Sequence, residues 1–245
     1  MKTPLILILT LLATLCLATG PDVSTLLKAI DANMTSASSK STTRLVINGR
    51  RASRTVGSVN YAQGNDKFYT EYTSPPRDKG TKMLKLGKDL WIYDPASDRS
   101  LRISGNMLKQ SVMGSDLSYE DFMEETKLVD AYSGVLSGAE ELDGRSCWVL
   151  TLTAKQPNLA YYKRQLWVDK ERYVVVKEYL YAKSGKLLKS ISASDFRQTG
   201  SRWYPHYIRF KDELKEGKGT EYYIDSIQFD LAIPAYIFSK AMLKK

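Results

Sequence analysis

Cysteine is nearly missing from this chain. Of 245 residues only Cys16 and Cys147 are cysteine, and Cys16 sits in an apolar leader. Without the leader only Cys147 remains, so no internal disulfide forms. The core alone must hold the fold, which a chain of this size permits. Cys147 reads as a small buried hydrophobe in a strand rather than a reactive thiol. Histidine is scarcer still, with His206 alone. One histidine makes no zinc site, and it leaves a serine nucleophile a single base to work with. No internal repeat of fixed period is present, which excludes a solenoid or propeller. No RNA- or DNA-binding motif accompanies the basic residues, and no Asp-x-Asp-x-Asp-Gly loop marks an EF-hand. The apolar run Leu5–Leu17 is 13 residues long, too short to span a bilayer.

That run follows Lys2 and precedes Ala18, Thr19 and Gly20, the layout of a secretory signal. Residues 1–20 are therefore set apart as leader, and residues 21–245 are expected to form one domain. Cleavage after Ala18 would release a soluble exported protein. In a second reading Cys16 is the acylated cysteine of a lipid-anchored form, although Leu15 stands where such a signal carries a small residue. An uncleaved anchor is the third. The formal net charge is +9, with Lys and Arg spread along the chain. Export and the missing motifs argue against nucleic acid. An anionic membrane surface or an acidic partner fits this charge, as does a plain solvated surface.

The periodicity is mostly that of strands. Val23, Leu26, Leu27, Ile30 and Met34 make one helical face over Pro21–Met34, capped by Asp22 or Ser24. Ala37–Ser41 reads as a small-residue linker. Short strands follow at Thr43–Asn48, Thr55–Tyr61, Lys67–Tyr72, Thr81–Leu86, Leu90–Tyr93 and Leu101–Ser104, joined by tight turns. Gly105–Leu117 has no clear period, and Ser118-Tyr119-Glu120-Asp121 opens a short helix to about Glu125. Strands are then expected at Lys127–Ala131, Ser146–Thr153, Tyr161–Val168, Tyr173–Tyr181, Lys186–Ser194, Trp203–Phe210 and Thr220–Phe229. Pro234–Met242 closes the chain as a helical turn with Tyr236, Ile237 and Phe238 inward. Some ten or eleven strands with hairpin connections predict a mainly β (α+β), up-and-down antiparallel sheet. A sheet this long curls to hide its apolar face. The two helices are available to fill the concave side, leaving an apolar groove suited to lipid or acyl chains.

Leu90-Trp91-Ile92-Tyr93-Asp94-Pro95, then Arg102-Ile103-Ser104, then Met113-Gly114-Ser115-Asp116 with Ser118-Tyr119-Glu120-Asp121, resemble the LolA-like outer-membrane lipoprotein-sorting proteins. Pro76–Gly80 with Thr81-Lys82-Met83-Leu84, Arg164–Asp169 and Gly185–Lys189 match the same family, over roughly residues 22 to 242. The resemblance implies an unclosed β-barrel with a helical lid or plug. It also implies a periplasmic location and carriage of lipoproteins or other lipids between membranes, with a membrane receptor as partner. From the residues themselves no cofactor and no metal are expected.

Trp91, Tyr93, Met113, Tyr119, Phe122, Trp167 and Tyr179 are the residues expected to line the groove, with Tyr173, Val175 and Tyr181 similar. Ordinary core is the alternative for each. Gly114, Ser115, Asp116 and Arg44 are assigned to the lid and its loop. Gly114 would supply a permissive backbone angle, and Asp116 or Ser118 a helix cap. Arg44 is placed there because it follows the linker; surface charge is its other reading, as for Arg50, Arg51 and Arg54. Ser115 with His206 would make a nucleophile and base, but Gly-Ser-Asp is not a strand-to-helix elbow. Asp116, Glu120, Asp121, Glu124 and Glu125 could hold a hard cation or simply face solvent. Three functions are left to separate: a lipid or lipoprotein carrier, an envelope lipid hydrolase, and a lipoprotein-sensing module.

Overall fold

The computed structural model describes residues 20–49, 52–123 and 127–244. The leader with Cys16, and Arg50, Arg51, Glu124 and Glu125, lie outside the described residues. Helix α1 spans Val23–Met34, and Asp22 caps it by accepting the Thr25 N–H at 2.9 Å. Its apolar spacing buries Leu26, Leu27 and Ile30 as the pattern predicts, but Met34, placed on the same face, is exposed at the last turn of the helix.

Six strands follow: β1 (Ser38–Asn48), β2 (Ser53–Gln63), β3 (Lys67–Ser74), β4 (Lys82–Leu86), β5 (Asp89–Asp94) and β6 (Arg99–Ile103). After the aperiodic stretch come α2 (Tyr119–Met123) and α3 (Leu128–Ala131). The second half holds β7 (Tyr132–Leu142), β8 (Arg145–Ala154), β9 (Lys163–Asp169), β10 (Val175–Tyr181), β11 (Leu187–Thr199), β12 (Arg202–Asp212) and β13 (Thr220–Phe229), and then α4 (Lys240–Leu243). Two expectations are corrected. The supposed linker Ala37–Ser41 is largely strand, because Ser39 and Ser41 pair with Phe229 and Ile227 through the backbone, which needs no apolar side chain. Lys127–Ala131 is not a strand: the Asp31 carboxylate accepts the Leu128 and Val129 N–H groups at 2.9 and 3.1 Å and closes a helical turn there. The strand lies just beyond, in β7, whose Gly, Ser and Glu residues hide the alternation.

All thirteen strands form one antiparallel sheet in the order β6-β5-β4-β3-β2-β1-β13-β12-β11-β10-β9-β8-β7. It is up-and-down throughout, with the first and last strands paired at its centre. Its two edges, β6 and β7, are consecutive in sequence, so the chain between them spans the unclosed seam.

Strand register defines two faces. Leu45 lies opposite Val56 on one side and Tyr222 on the other, and the same parity carries Met83, Leu90, Ile103, Leu166 and Leu150. On this inner face α1 packs over Leu150, Leu152, Leu166 and Val168 at one end of the sheet. The stretch from Gly105 to Met123 packs over the other end. The sheet is thus an unclosed, curled barrel with helical pieces inside its curve. The outer face is also covered in places: Ile237, Phe238 and Leu243 lie on Tyr69 and Leu84. Tyr236, expected inward with them, is 59% exposed because the short 3-10 turn Ala235–Phe238 directs only part of its circumference at the sheet.

Candidate functional site

The segment Gly105–Met123 forms a lid. It begins with 3-10 turns at Gly105–Lys109 and Val112–Gly114 and ends in α2. The Val112 N–H bonds the Leu117 carbonyl at 2.8 Å and the Tyr119 N–H bonds the Gln110 carbonyl at 3.1 Å, pinching the loop at its base. Its tip turns through Met113 and Gly114, at φ 51° and 76°. Glycine adopts that left-handed region without strain, as the sequence suggested for Gly114. The pinch directs Leu117 onto Leu45, Val56 and Tyr72, with Met113 and Phe122 alongside. Tyr119, Phe122 and Met123 cover Met83, Leu90 and Ile103, and the Phe122 ring lies 6.0 Å from that of Phe68. The apolar inner wall is therefore covered by lid side chains.

Side-chain polar bonds reaching from several strands fasten the lid. Arg54 on β2 donates to the Met113 carbonyl and pairs with Asp78 at 3.0 Å. Asp116 accepts the Asp212 N–H at 2.9 Å and the Thr220 hydroxyl at 2.7 Å. Lys215 donates to Ser111 Oγ at 2.6 Å and to the Ser115 carbonyl at 2.9 Å. Deepest is Asp121. It is ion-paired with Lys189 of β11, accepts the Tyr161 hydroxyl, and accepts the Ser118 N–H at 2.6 Å. The Asp121 N–H and Ser118 Oγ lie 3.4 Å apart, so Ser118 and Asp121 make the reciprocal cap expected at this helix start.

Behind the lid the wall carries a buried polar belt. Thr43 and Ser58 share a hydrogen bond of 2.9 Å, and Asn60 bonds Thr43 and Thr70 at 3.0 and 2.8 Å. His206 Nδ1 lies 2.7 Å from the Ile224 carbonyl. Glu178 sits against Arg164 at 3.1 Å; burial pushes its carboxyl up from the usual range, and the guanidinium opposes that. At the end of the lid a cleft of about 620 Å³ opens between the β2–β3 and β4–β5 turns, lined by Asn65, Lys85, Lys88, Met123, Lys127 and Asp130 among others. It is an open mouth beside the inner wall.

A family model described as an uncharacterized protein matches residues 64–245. No curated protein matches the chain. A crystal structure described as an outer membrane lipoprotein-sorting protein domain from Vibrio parahaemolyticus superposes with a TM-score of 0.78 at 25% identity, covering 91% of this chain and 97% of that one. A DUF1329 family protein from Desulfovibrio piger gives 0.82 at 26% identity over 90% and 97% of the two chains. A LolA superfamily protein from Nitrosomonas europaea gives 0.70 at 24% identity over 89% and 97%, a likeness of fold. This chain belongs to the LolA-like family.

Within this LolA-like barrel the residues picked from the sequence do not share one groove. Met113, Tyr119 and Phe122 belong to the lid and face the inner wall. Trp91 and Tyr93 point the other way, beneath the C-terminal segment, where Lys240 lies 4.2 Å from the Trp91 ring. Trp167 and Tyr179 stack edge-to-face at 5.1 Å, also on the outer face, with Cys147 and Val149. On β5 it is Leu90 and Ile92 that face the lid. Arg44 does not touch the lid. It is on the outer face, in a bidentate pair with Asp225 at 2.8 Å, over the Tyr223 ring. Arg54 takes the place at the lid. Alternation places it on the same face as Val56, the one available sign. Asp116 does not cap α2, since Asp212 and Thr220 hold it.

Ser115 is buried, with its Oγ accepting the Leu117 N–H at 3.1 Å within its own loop. His206 is bonded to Ile224 instead. Burial pushes the Cys147 thiol up, as suits a residue packed as a hydrophobe.

Proposed function

We propose that this LolA-like chain is a periplasmic carrier that takes acyl chains of lipoproteins or other lipids onto the inner wall of its barrel and moves them towards the outer membrane. One observation carries this reading. The inner wall is apolar across many strands, yet the element covering it is an irregular lid fastened chiefly by side-chain bonds, with an open mouth at its end. A lid that is not a sheet strand leaves without breaking the ladder, and its Met113, Leu117 and Phe122 give up apolar contacts that an acyl chain replaces at about 0.8 kcal/mol per CH₂. The wall contacts are Leu45, Val56, Met83, Leu90, Ile92 and Phe210. Met113, Tyr119 and Phe122 act as the gate. A membrane receptor and an anionic membrane surface are the partners in this scheme, and Cys16 either leaves with the signal or carries an anchor. The bonding of Ser115 and His206 supports binding without turnover.

Native mass spectrometry of protein purified from the envelope reads the mature N-terminus and any bound lipid together. Titration with a fluorescent fatty acid should saturate with the wild type. Ile92→Lys, which puts a charge on the half-buried wall, should weaken it at least tenfold. Protein that carries no lipid and shows no saturable uptake would overturn the carrier reading.

A further inference from the structure

The outer face, away from the lid, carries a second cleft of about 350 Å³, lined by Lys177, Tyr179, Ser192, Arg209, Lys211 and Lys218 among others. Register explains the grouping. Ser192 on β11 lies opposite Lys177 on β10 and opposite Arg209 on β12, so the two cations flank one hydroxyl across neighbouring strands. With strands about 4.8 Å apart, the two backbones stand roughly 10 Å from each other, a span their side chains close over a small anion. Lys211, two residues beyond Arg209, shares this face, and Lys218 comes in from the turn before β13.

These charges are met by dipoles and rings rather than by carboxylates. Arg209 donates its Nε to the Lys218 carbonyl at 3.0 Å, and a second guanidinium nitrogen to the same oxygen. Lys211 donates to the carbonyls of Asp212 and Lys215. Lys177 lies 4.6 Å from the Trp167 ring and 4.7 Å from that of Tyr179, which are themselves stacked. The two nearby acids accept hydroxyl groups rather than pairing with these cations: Glu221, opposite Arg209, accepts the Tyr207 hydroxyl at 3.0 Å, and Glu213 accepts the hydroxyl of Ser190 at the edge of the cleft. Arg44, on the same face, shows the contrast, since Asp225 neutralises it.

We infer that this cleft binds a phosphate ester, with Lys177, Arg209, Lys211 and Lys218 supplying charge, Ser192 a hydroxyl donor and Tyr179 a rigid side wall. Backbone-held guanidinium and ring-held ammonium groups are preorganised, so little ordering is lost on binding. The chemistry is shared by the headgroup of an anionic phospholipid and by a soluble phosphate ester. The site lies on the opposite side of the sheet from the acyl wall and is independent of it.

Flotation of the full mature chain with phosphatidylcholine vesicles, with and without phosphatidylglycerol, reads the first source. Calorimetric titration with glycerol 3-phosphate reads the second. The triple variant Lys177→Gln/Arg209→Gln/Lys218→Gln is expected to lose about a hundred-fold in apparent affinity, since each basic side chain near an anionic surface contributes about a fivefold factor. A control of equal charge, Lys28→Gln/Lys183→Gln/Lys244→Gln, should retain binding. Binding only by anionic vesicles identifies a lipid headgroup, and saturable binding of glycerol 3-phosphate identifies a soluble ester. The inference is overturned if the wild type binds neither, if the cleft variant binds as the wild type does, or if the control loses as much as the cleft variant. Fluorescent fatty-acid uptake by the cleft variant should match the wild type, which separates this test from that of the carrier.

Discussion

Lys189 and Asp121, at 10% and 14% side-chain exposure, are the pair on which the lid is most deeply fastened. Removing one member of a buried pair leaves the other charge stranded and costs about 3–5 kcal/mol. Asp121 keeps Tyr161 and Ser118 as donors, so Lys189→Met should lie at the low end, about 3 kcal/mol by urea denaturation. Combining it with Asp121→Asn should cost less than the sum of the single changes. If the pair also holds the lid shut, the double variant takes up fluorescent fatty acid faster than the wild type. A second residue-scale prediction concerns pH. Burial works to raise the Asp169 carboxyl, but Arg145 at 2.7 Å and the Glu171 and Arg172 N–H groups outweigh it and hold it below its ordinary 3.8. The stability it adds is therefore complete above that value and lost as pH falls through the lower folded value. Asp169→Asn should be less stable than the wild type at pH 7, with the gap narrowing below about pH 4 as the wild-type carboxylate also becomes neutral. Urea midpoints taken across that range check it.

At the scale of elements, α1 and the lid divide the inner face but are held differently. α1 is anchored by apolar contacts, and Ile30→Ala should cost about 2–4 kcal/mol in chemical denaturation. The lid has few backbone bonds to anything outside itself, so its amides should exchange in minutes while the central strands β1 and β13 stay protected. Saturating fatty acid should alter exchange in 105–123 first; a change confined to α1 would contradict the gate. The strands, α1 and the Ser118 helix start were legible because each follows a local rule of period or cap. What the strands faced was not. Alternation identifies a core side only when the other side is polar, and in β5 both sets are apolar: Leu90 and Ile92 meet the lid while Trp91 and Tyr93 meet the C-terminal segment. The aromatic set looked more like a ligand wall and turned outward. Arg44 was misassigned for a related reason, since its distance from the linker says nothing of which side of β1 it occupies, whereas Arg54, read as a lid partner or as surface charge, does meet the lid. β7 was missed because only Tyr132 and Leu136 mark its inward side, with Gly134 between them and Gly, Ser and Glu filling most of the rest.

At the scale of the whole molecule, the sheet is sewn together at its middle by the two ends of the chain. β1 pairs with β13 from Ser39–Phe229 to Ile47–Thr220, so residues nearly the whole domain apart must meet before either half gains its neighbour. Contacts of such sequence separation predict slow folding. They also predict an asymmetry between two truncations. Ending the chain after Asp230 removes Ile237, Phe238 and Leu243 from the outer face and should cost about 5 kcal/mol, at roughly 1.5–3 kcal/mol for each buried side chain. The sheet keeps all its strands, so what unfolding remains should stay cooperative in urea. Ending it after Gly219 removes β13 as well. That leaves β1 and β12 without their shared partner and takes Thr220 from Asp116 and Ile224 from His206. The two half-sheets then have no ladder between them, and the lid, which is fastened to both, has no single wall to close on. This shorter chain should show no cooperative transition and no saturable fatty-acid uptake. A sharp urea transition in it would mean that one half of the barrel folds alone, and that the pairing of β1 with β13 is not what unites the molecule.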